Sequence, residues 1–316
     1  MPGRGQRQQH KERVMESENS SPTVGVIGLG DIGSGVAKGL VRAGIDLVVC
    51  DVRPESTAPF AETARVATGP ADLASLVDVI VVAVVTDEQV LAVLEGPSGA
   101  LSAARAGLTV VIVSTVAPST VARVAEMSRA AGVGVADCGV SGGPSSAAEG
   151  MLVSMIGGDD DVVERIRPVL DAFSSLVVRM GPLGAGLQAK LARNLVQYAS
   201  WLAAYEAQVL AEAAGIELAK LAQVIRASDT RIGGASTLMF RRTVAPFTSD
   251  DDDGLVSAMR TAAVLAHKDL RAALELAGTL GIDLPLAAMT EARADALFGI
   301  APDTSGTARV GAGGDR

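Results

Sequence analysis

Apolar residues follow two rhythms along this chain, and the change from one to the other divides it. From Thr23 to Gly181, short runs of Val and Ile alternate with amphipathic stretches. The runs are TVGVIG (23–28), DLVVC (46–50), DVIVVAV (78–84), LTVVIVS (108–114) and VGVADC (133–138). Short β-branched runs that stay apolar throughout predict strands buried on both faces. The stretches between them carry helical spacing, as over 32–43 and 118–131. MLVSMIGG (151–158) and SLVVRMG (175–181), around a helix near 161–173, extend the same pattern. Strand–helix–strand alternation predicts an α/β domain built on a doubly wound, mainly parallel sheet.

After Gly186 the strand rhythm stops. LQAKLARNLVQYASWLAAYEAQVLAEAAG keeps helical apolar spacing without a proline until Gly215, and further helical patterns cover 217–227, 255–279 and 285–298. These predict an all-α C-terminal domain entered by one long helix. The expected organisation is a disordered leader over 1–21, an α/β domain over 22–185, a helical domain over 186–303 and a disordered tail over 304–316. The apolar, Ala-rich faces of the long helix suit burial against a second subunit, so a homodimer or homotetramer is expected.

Composition narrows the class. Hydrophobic residues make up 48% of the 316 and aromatics only 3%, with Trp201 the single tryptophan, so the core is built from Ala, Val, Leu and Ile. A formal net charge of −9 leaves no electrostatic footprint for nucleic acid or an anionic membrane. The longest apolar run, Val77 to Val85 interrupted by Asp78, is too short to cross a bilayer. Two cysteines, Cys50 and Cys138, fit a reducing compartment rather than a disulfide framework, and a cytoplasmic location is expected. No histidine spacing suits a metal site.

Gly28-Leu29-Gly30-Asp31-Ile32-Gly33 fits the G-x-G-x-x-G fingerprint between a strand and a helix, the context in which it binds a dinucleotide. Gly28 permits the tight turn, Gly30 lets backbone approach a pyrophosphate, and Gly33 allows close helix–strand packing. The domain is therefore expected to be Rossmann-like. Asp31 is an unusual acid beside a phosphate site; turned to solvent it still complements the helix dipole. Asp51 closes the second strand, where a carboxylate binds a ribose diol and repels a 2′-phosphate, which favours NAD over NADP. Arg53, two residues on, suits either a 2′-phosphate or a solvated loop, so NADP stays open.

Six blocks in order, over about residues 24–300, resemble the β-hydroxyacid dehydrogenases, the family of 3-hydroxyisobutyrate dehydrogenase and tartronate semialdehyde reductase. They are GLGDIGSGVAKGL (28–40), VVTDEQVLAVLEGPSG (84–99), VSTVAPST (113–120), DCGVSGGPSSAAEGMLVSMIGG (137–158), GPLGAGLQAKLARN (181–194) and HKDL (267–270). The resemblance implies hydride transfer between a nicotinamide and a small anionic hydroxy acid or its semialdehyde. It also implies that Val85, Thr86, Ser114 and Thr115 bind cofactor. Ser141, Gly142 and Gly143 would bind substrate, Lys190 would be the catalytic lysine, and Lys268 would bring a second positive charge to the substrate carboxylate or the nicotinamide ribose.

The residues make chemical sense in those roles. Removing a hydroxyl proton needs a base and reducing a carbonyl needs an acid. Lys190 sits in an apolar helix, where its head must find a cleft or partner, and burial lowers a lysine pKa. Asn194, four residues later, shares its helix face. The plainer readings are a snorkelling Lys190, a turn at 141–143, and a solvated Lys268 beside Asp269. His267 reads as packing. Two departures from the family stand out: Arg193 replaces the first residue of its Asn-Asn pair, and the acidic run SDDDDG (249–254) reads as a solvated loop. Imine reductases resemble this architecture and use NADPH, and catalytically silent dinucleotide-binding relatives also exist. Both usually lack a lysine at this point of the motif, so Lys190 argues against them.

Overall fold

The computed structural model describes residues 22–234 and 245–301; the stretches expected as leader and tail lie outside the described residues. Eight strands form one sheet in the order β3-β2-β1-β4-β5-β6-β7-β8. They are β1 (Val24–Ile27), β2 (Leu47–Cys50), β3 (Arg65–Val66), β4 (Val79–Val82), β5 (Thr109–Ile112), β6 (Gly134–Ser141), β7 (Leu152–Gly157) and β8 (Ser174–Gly181). All neighbouring pairs are parallel except β6 with β7. The doubly wound, mainly parallel sheet is the one expected. β3 was not foreseen, because two exposed residues at a sheet edge carry no hydrophobic period.

The apolar runs are continuous because both faces are covered. Val79 and Val81 of β4 enter one core cluster with Val24, Val26 and Val111, while Ile80 and Val82 enter the opposite one with Ile27, Val110 and Ile112. Alternate side chains thus reach alternate cores, the period-2 geometry of a strand. Helices α1 (Asp31–Arg42), α2 (Pro54–Thr57), α3 (Pro70–Leu76), α4 (Asp87–Leu94), α5 (Pro118–Ala130), α6 (Gly143–Glu149) and α7 (Asp160–Asp171) make the connections. The strand order reverses direction between β1 and β4, so a crevice opens at their carboxyl ends, where open α/β sheets bind ligands.

The long helix is α8 (Ala185–Ala213), followed by α9 (Leu218–Ile232), α10 (Asp253–Leu280), α11 (Pro285–Ala292) and α12 (Ala294–Leu297). Contacts divide the chain into two compact units, up to Arg193 and from Asn194 onward, and α8 runs through the division. No helix among the described residues is long and apolar enough to cross a membrane. The acidic run 249–254 is more than a solvated loop: Asp252 caps α10 by accepting from the Leu255 N–H at 2.8 Å, and Asp251 accepts from the Thr248 N–H at 2.8 Å. Within the second unit, the buried Glu206 accepts from the N–H groups of Leu286 and Ala287 at 2.7 and 3.0 Å, closing the N-terminus of α11.

His267 of α10 is held from both sides, Nδ1 3.0 Å from Glu291 Oε1 and Nε2 3.3 Å from Asp295 Oδ1. Arg271 also donates to Glu291, at 2.7 Å. The hydrogen bond to Glu291, with Asp295 adding to it, raises the imidazole pKa above its ordinary value. A raised folded-state pKa contributes stability that is fully present below the unfolded value, about 6.5, and is lost as pH rises through the folded value. Thermal unfolding of the protein is therefore expected to show a midpoint that falls as pH rises from 6 to 9. In His267→Gln that part of the slope should disappear, and an unchanged slope would show that the imidazolium does not hold α10 to α11 and α12.

Candidate active site

Backbone geometry at the end of β1 makes the glycine turn. Gly28 has φ +91°, and a Cβ there would lie 2.6 Å from the Ala83 carbonyl oxygen. A Cβ on Gly33 would overlap the carbonyl oxygen of Gly28 outright. Around Gly30, by contrast, the Cβ position is open to 4 Å. Helix α1 begins there with no side-chain cap, so its first N–H groups point out of the turn with no intrahelical acceptor. An open approach over Gly30 and an uncapped helix N-terminus fit a dinucleotide pyrophosphate.

Asp51 lies against this turn rather than merely near it. Its Oδ2 accepts from the Leu29 N–H at 2.7 Å, and its Oδ1 accepts from the Arg53 N–H at 2.9 Å and from Arg53 Nε at 3.2 Å. Burial pushes the Asp51 carboxyl up, but the Arg53 side chain and the two N–H donors outweigh it and hold it below its ordinary value. The carboxylate stays ionised beside the glycine turn. Arg53 is half-exposed and committed to Asp51.

One cleft of about 400 Å³ brings together Gly30, Asp31 and Ile32 of the turn, Val85 after β4, Ser114 and Thr115 after β5, Gly143, and Lys190. Several long-range contacts hold it in shape. Gly35 lets α1 approach α6 so closely that a Cβ on it would lie 2.5 Å from Ala147 Cβ, which sets Gly143 beside the glycine turn. Gln89 accepts from the Val85 N–H at 2.8 Å, and Thr86 Oγ1 accepts from the Gln89 N–H at 3.2 Å, a capping box that fixes the loop after β4. Asp87 reaches across to accept from the Ala117 N–H at 2.9 Å, tying that loop to the one after β5. Val85 is 82% exposed and forms an apolar wall of the cleft. Ser114 is buried and donates to the Val82 carbonyl at 3.3 Å, so its hydroxyl proton serves the sheet and only its oxygen lone pairs face other uses.

Lys190, on the second turn of α8, is half-buried. Burial first, and the positive charge of Arg193 second, lower its pKa below the ordinary lysine value. An amine so placed exchanges protons closer to neutrality than a surface lysine does. Ser141 ends β6, and Gly142 and Gly143 take φ +127° and +73° in the turn that starts α6. Asn194 lies one turn beyond Lys190 on α8, as the first residue of the second unit. Lys268 lies on α10 in that unit, exposed, with Nζ 3.1 Å from Asp269 Oδ1. Asp87 and Asp137 were not singled out as site residues. Both stand within the quoted blocks, but what each holds is remote in sequence.

Comparison with known proteins agrees with this geometry. The model of the NAD-binding domain of 6-phosphogluconate dehydrogenase matches residues 23–181, and the one for the NAD-binding region of NADP-dependent 3-hydroxyisobutyrate dehydrogenase matches 184–308. An uncharacterised oxidoreductase of Mycobacterium tuberculosis is 39% identical over 291 residues, 92% of this chain and 98% of its own. L-threonate dehydrogenase of Cupriavidus necator is 34% identical over 270 residues, 85% of this chain and 88% of its own. The crystal structure of a putative oxidoreductase from Mycobacterium avium superposes with a TM-score of 0.82 at 34% identity, covering 89% of this chain and 99% of that one. Matched over most of its length by models and relatives of one kind, the chain belongs to the β-hydroxyacid dehydrogenase family of NAD(P)-dependent enzymes acting on CH–OH groups.

Proposed function

We propose that this protein interconverts a small 3-hydroxy acid and its semialdehyde or keto form, with Lys190 as general acid–base and NAD as the preferred cofactor. The observation that carries the reading is a half-buried lysine, its pKa lowered, in the same cleft as the open Gly30 turn. Bound nicotinamide supplies or accepts the hydride. Lys190 takes the hydroxyl proton in oxidation and returns it to the carbonyl oxygen in reduction. The N–H groups and hydroxyl of Ser141 to Gly143 receive the substrate carboxylate, and Asn194 and Lys268 fix its pose. In this reading the first domain serves dinucleotide binding and the helical one serves substrate binding and dimerisation. L-threonate, the substrate named for the Cupriavidus relative, belongs among the first compounds to try. The test is a spectrophotometric screen of NAD+ and NADP+ against small 2- and 3-hydroxy acids, with cyclic imines and NADPH in a parallel arm. Turnover of imines alone would sink the proposal.

The cofactor preference rests on Asp51, whose ionised carboxylate would face a 2′-phosphate. Asp51→Asn keeps an acceptor for the Leu29 N–H, removes the charge and releases Arg53. The ratio of kcat/KM with NAD to that with NADP is expected to fall about tenfold or more, the equivalent of about 1.4 kcal/mol. An unchanged ratio would assign the preference elsewhere.

The protein is further proposed to work as a homodimer. Leu195, Tyr198, Leu202 and Tyr205 recur at helical spacing on α8 and are between 47% and 70% exposed in the single chain, as is Trp201. A contiguous apolar stripe of this kind marks an interface. Light scattering on the eluting protein should give twice the chain mass, and Leu195→Glu with Leu202→Glu should reduce it to one. A wild-type monomer would refute the assignment.

A further inference from the structure

Asp137 is a carboxylate with no exposed surface in the middle of the sheet, and no step proposed above uses it. It stands where β6 leaves β5 and begins to pair with β7, opposite both Ile112 and Gly157. Its Oδ1 accepts from the Gly184 N–H and its Oδ2 from the Leu187 N–H, each at 2.6 Å. Both oxygens therefore grip the first turn of α8, and Lys190 comes one turn later.

The strand period continues the pattern. Ala136, Cys138 and Val140 point into the core, so Asp137, Gly139 and Ser141 share the opposite face. Next to the clasping carboxylate, Gly139 has no side chain, and a Cβ there would lie 2.5 Å from Lys190 Cβ. From the helix side, a Cβ on Gly186 would lie 2.6 Å from the Asp137 carbonyl oxygen. Along one strand face, then, a carboxylate holds the helix, a glycine receives the lysine stem, and a serine ends the strand before the Gly142–Gly143 turn.

Burying a carboxylate carries a desolvation cost that a neutral cap avoids, although a carboxamide offers one acceptor oxygen where these two N–H groups each take their own. A carboxylate does something a neutral group does not: it offsets the positive end of α8, which otherwise bears on the ammonium in the next turn. We propose that Asp137 is a positioning residue for Lys190, setting both the depth of its amine in the cleft and the charge environment in which it exchanges protons. This rests on the reading of Lys190 as the acid–base group.

The test is Asp137→Asn in the full-length protein. The carboxamide keeps the shape, offers one acceptor oxygen, and turns an NH2 towards the other donor. Competitive acetylation with trace acetic anhydride, mapped by mass spectrometry across pH, reads the Lys190 pKa without any substrate. That pKa is expected to fall by about half a unit, and kcat to drop roughly ten- to hundredfold with a much smaller change in KM. A lowered melting temperature with both the Lys190 labelling curve and kcat unchanged would make Asp137 a structural cap and overturn the proposal. Gly184→Ala strains one donor at φ +94° without touching the carboxylate, and is expected to move both readouts the same way by less. It decides the matter if Asp137→Asn does not fold. If no hydroxy acid is turned over, the labelling arm still reports on the clasp, which separates this proposal from the proposed activity.

Discussion

Replacing Lys190 with alanine is expected to lower kcat about 10²–10⁴-fold, the contribution of a positioned general acid–base, while NAD binding stays essentially unchanged. The two effects separate because, in the proposed arrangement, the amine meets the substrate while the Gly28–Gly33 turn and Asp51 hold the dinucleotide. Lys190→Arg should not rescue: a guanidinium keeps the charge but cannot give up its proton near neutrality. The wild-type plot of kcat/KM against pH should show a limb below the ordinary lysine range, since burial and Arg193 both disfavour the ammonium. The alanine variant should lose that limb. Near-normal turnover in Lys190→Ala would end the proposed mechanism whatever the substrate.

Gly33→Ala is expected to weaken NAD binding by about a hundredfold or more, about 2.7 kcal/mol, and to destabilise the fold by roughly 1–3 kcal/mol. The added methyl has no room: it overlaps the Gly28 carbonyl oxygen, which belongs to the turn itself. Gly30→Ala is the informative partner. Its φ of −71° suits any residue and its Cβ would meet no protein atom, so its melting temperature should match wild type. Its NAD affinity should nonetheless fall, because the space it fills is the one through which a pyrophosphate approaches. Isothermal titration and thermal melts on both variants give the comparison. Equal NAD affinity in Gly30→Ala and wild type would place the dinucleotide elsewhere.

The strands β1, β2, β4 and β5 were legible in sequence because each is an apolar run enclosed on both faces, and such runs announce themselves locally. The edge strand β3 was not legible, since Arg65 and Val66 are exposed and owe their pairing to β2. The glycine turn was legible for the same local reason: strand, G-x-G-x-x-G and helix are contiguous. Lys190 became a candidate only through its motif, because a lysine in an apolar helix is usually a snorkelling one.

The sequence by itself determined the type and order of the elements, the turn that fits a dinucleotide, and the family to which the chain belongs. Only the tertiary structure decided which backbone groups the carboxylates hold: Asp51 on Leu29, Asp87 on Ala117, Asp137 on Gly184 and Leu187. Hydrophobic period encodes which face of an element is buried, over a few residues at a time. A hydrogen bond between residues tens of positions apart depends on how closely two backbones approach. At Asp137 that approach is set by side chains that are missing, at Gly139 and Gly186, and a missing side chain leaves no period to read.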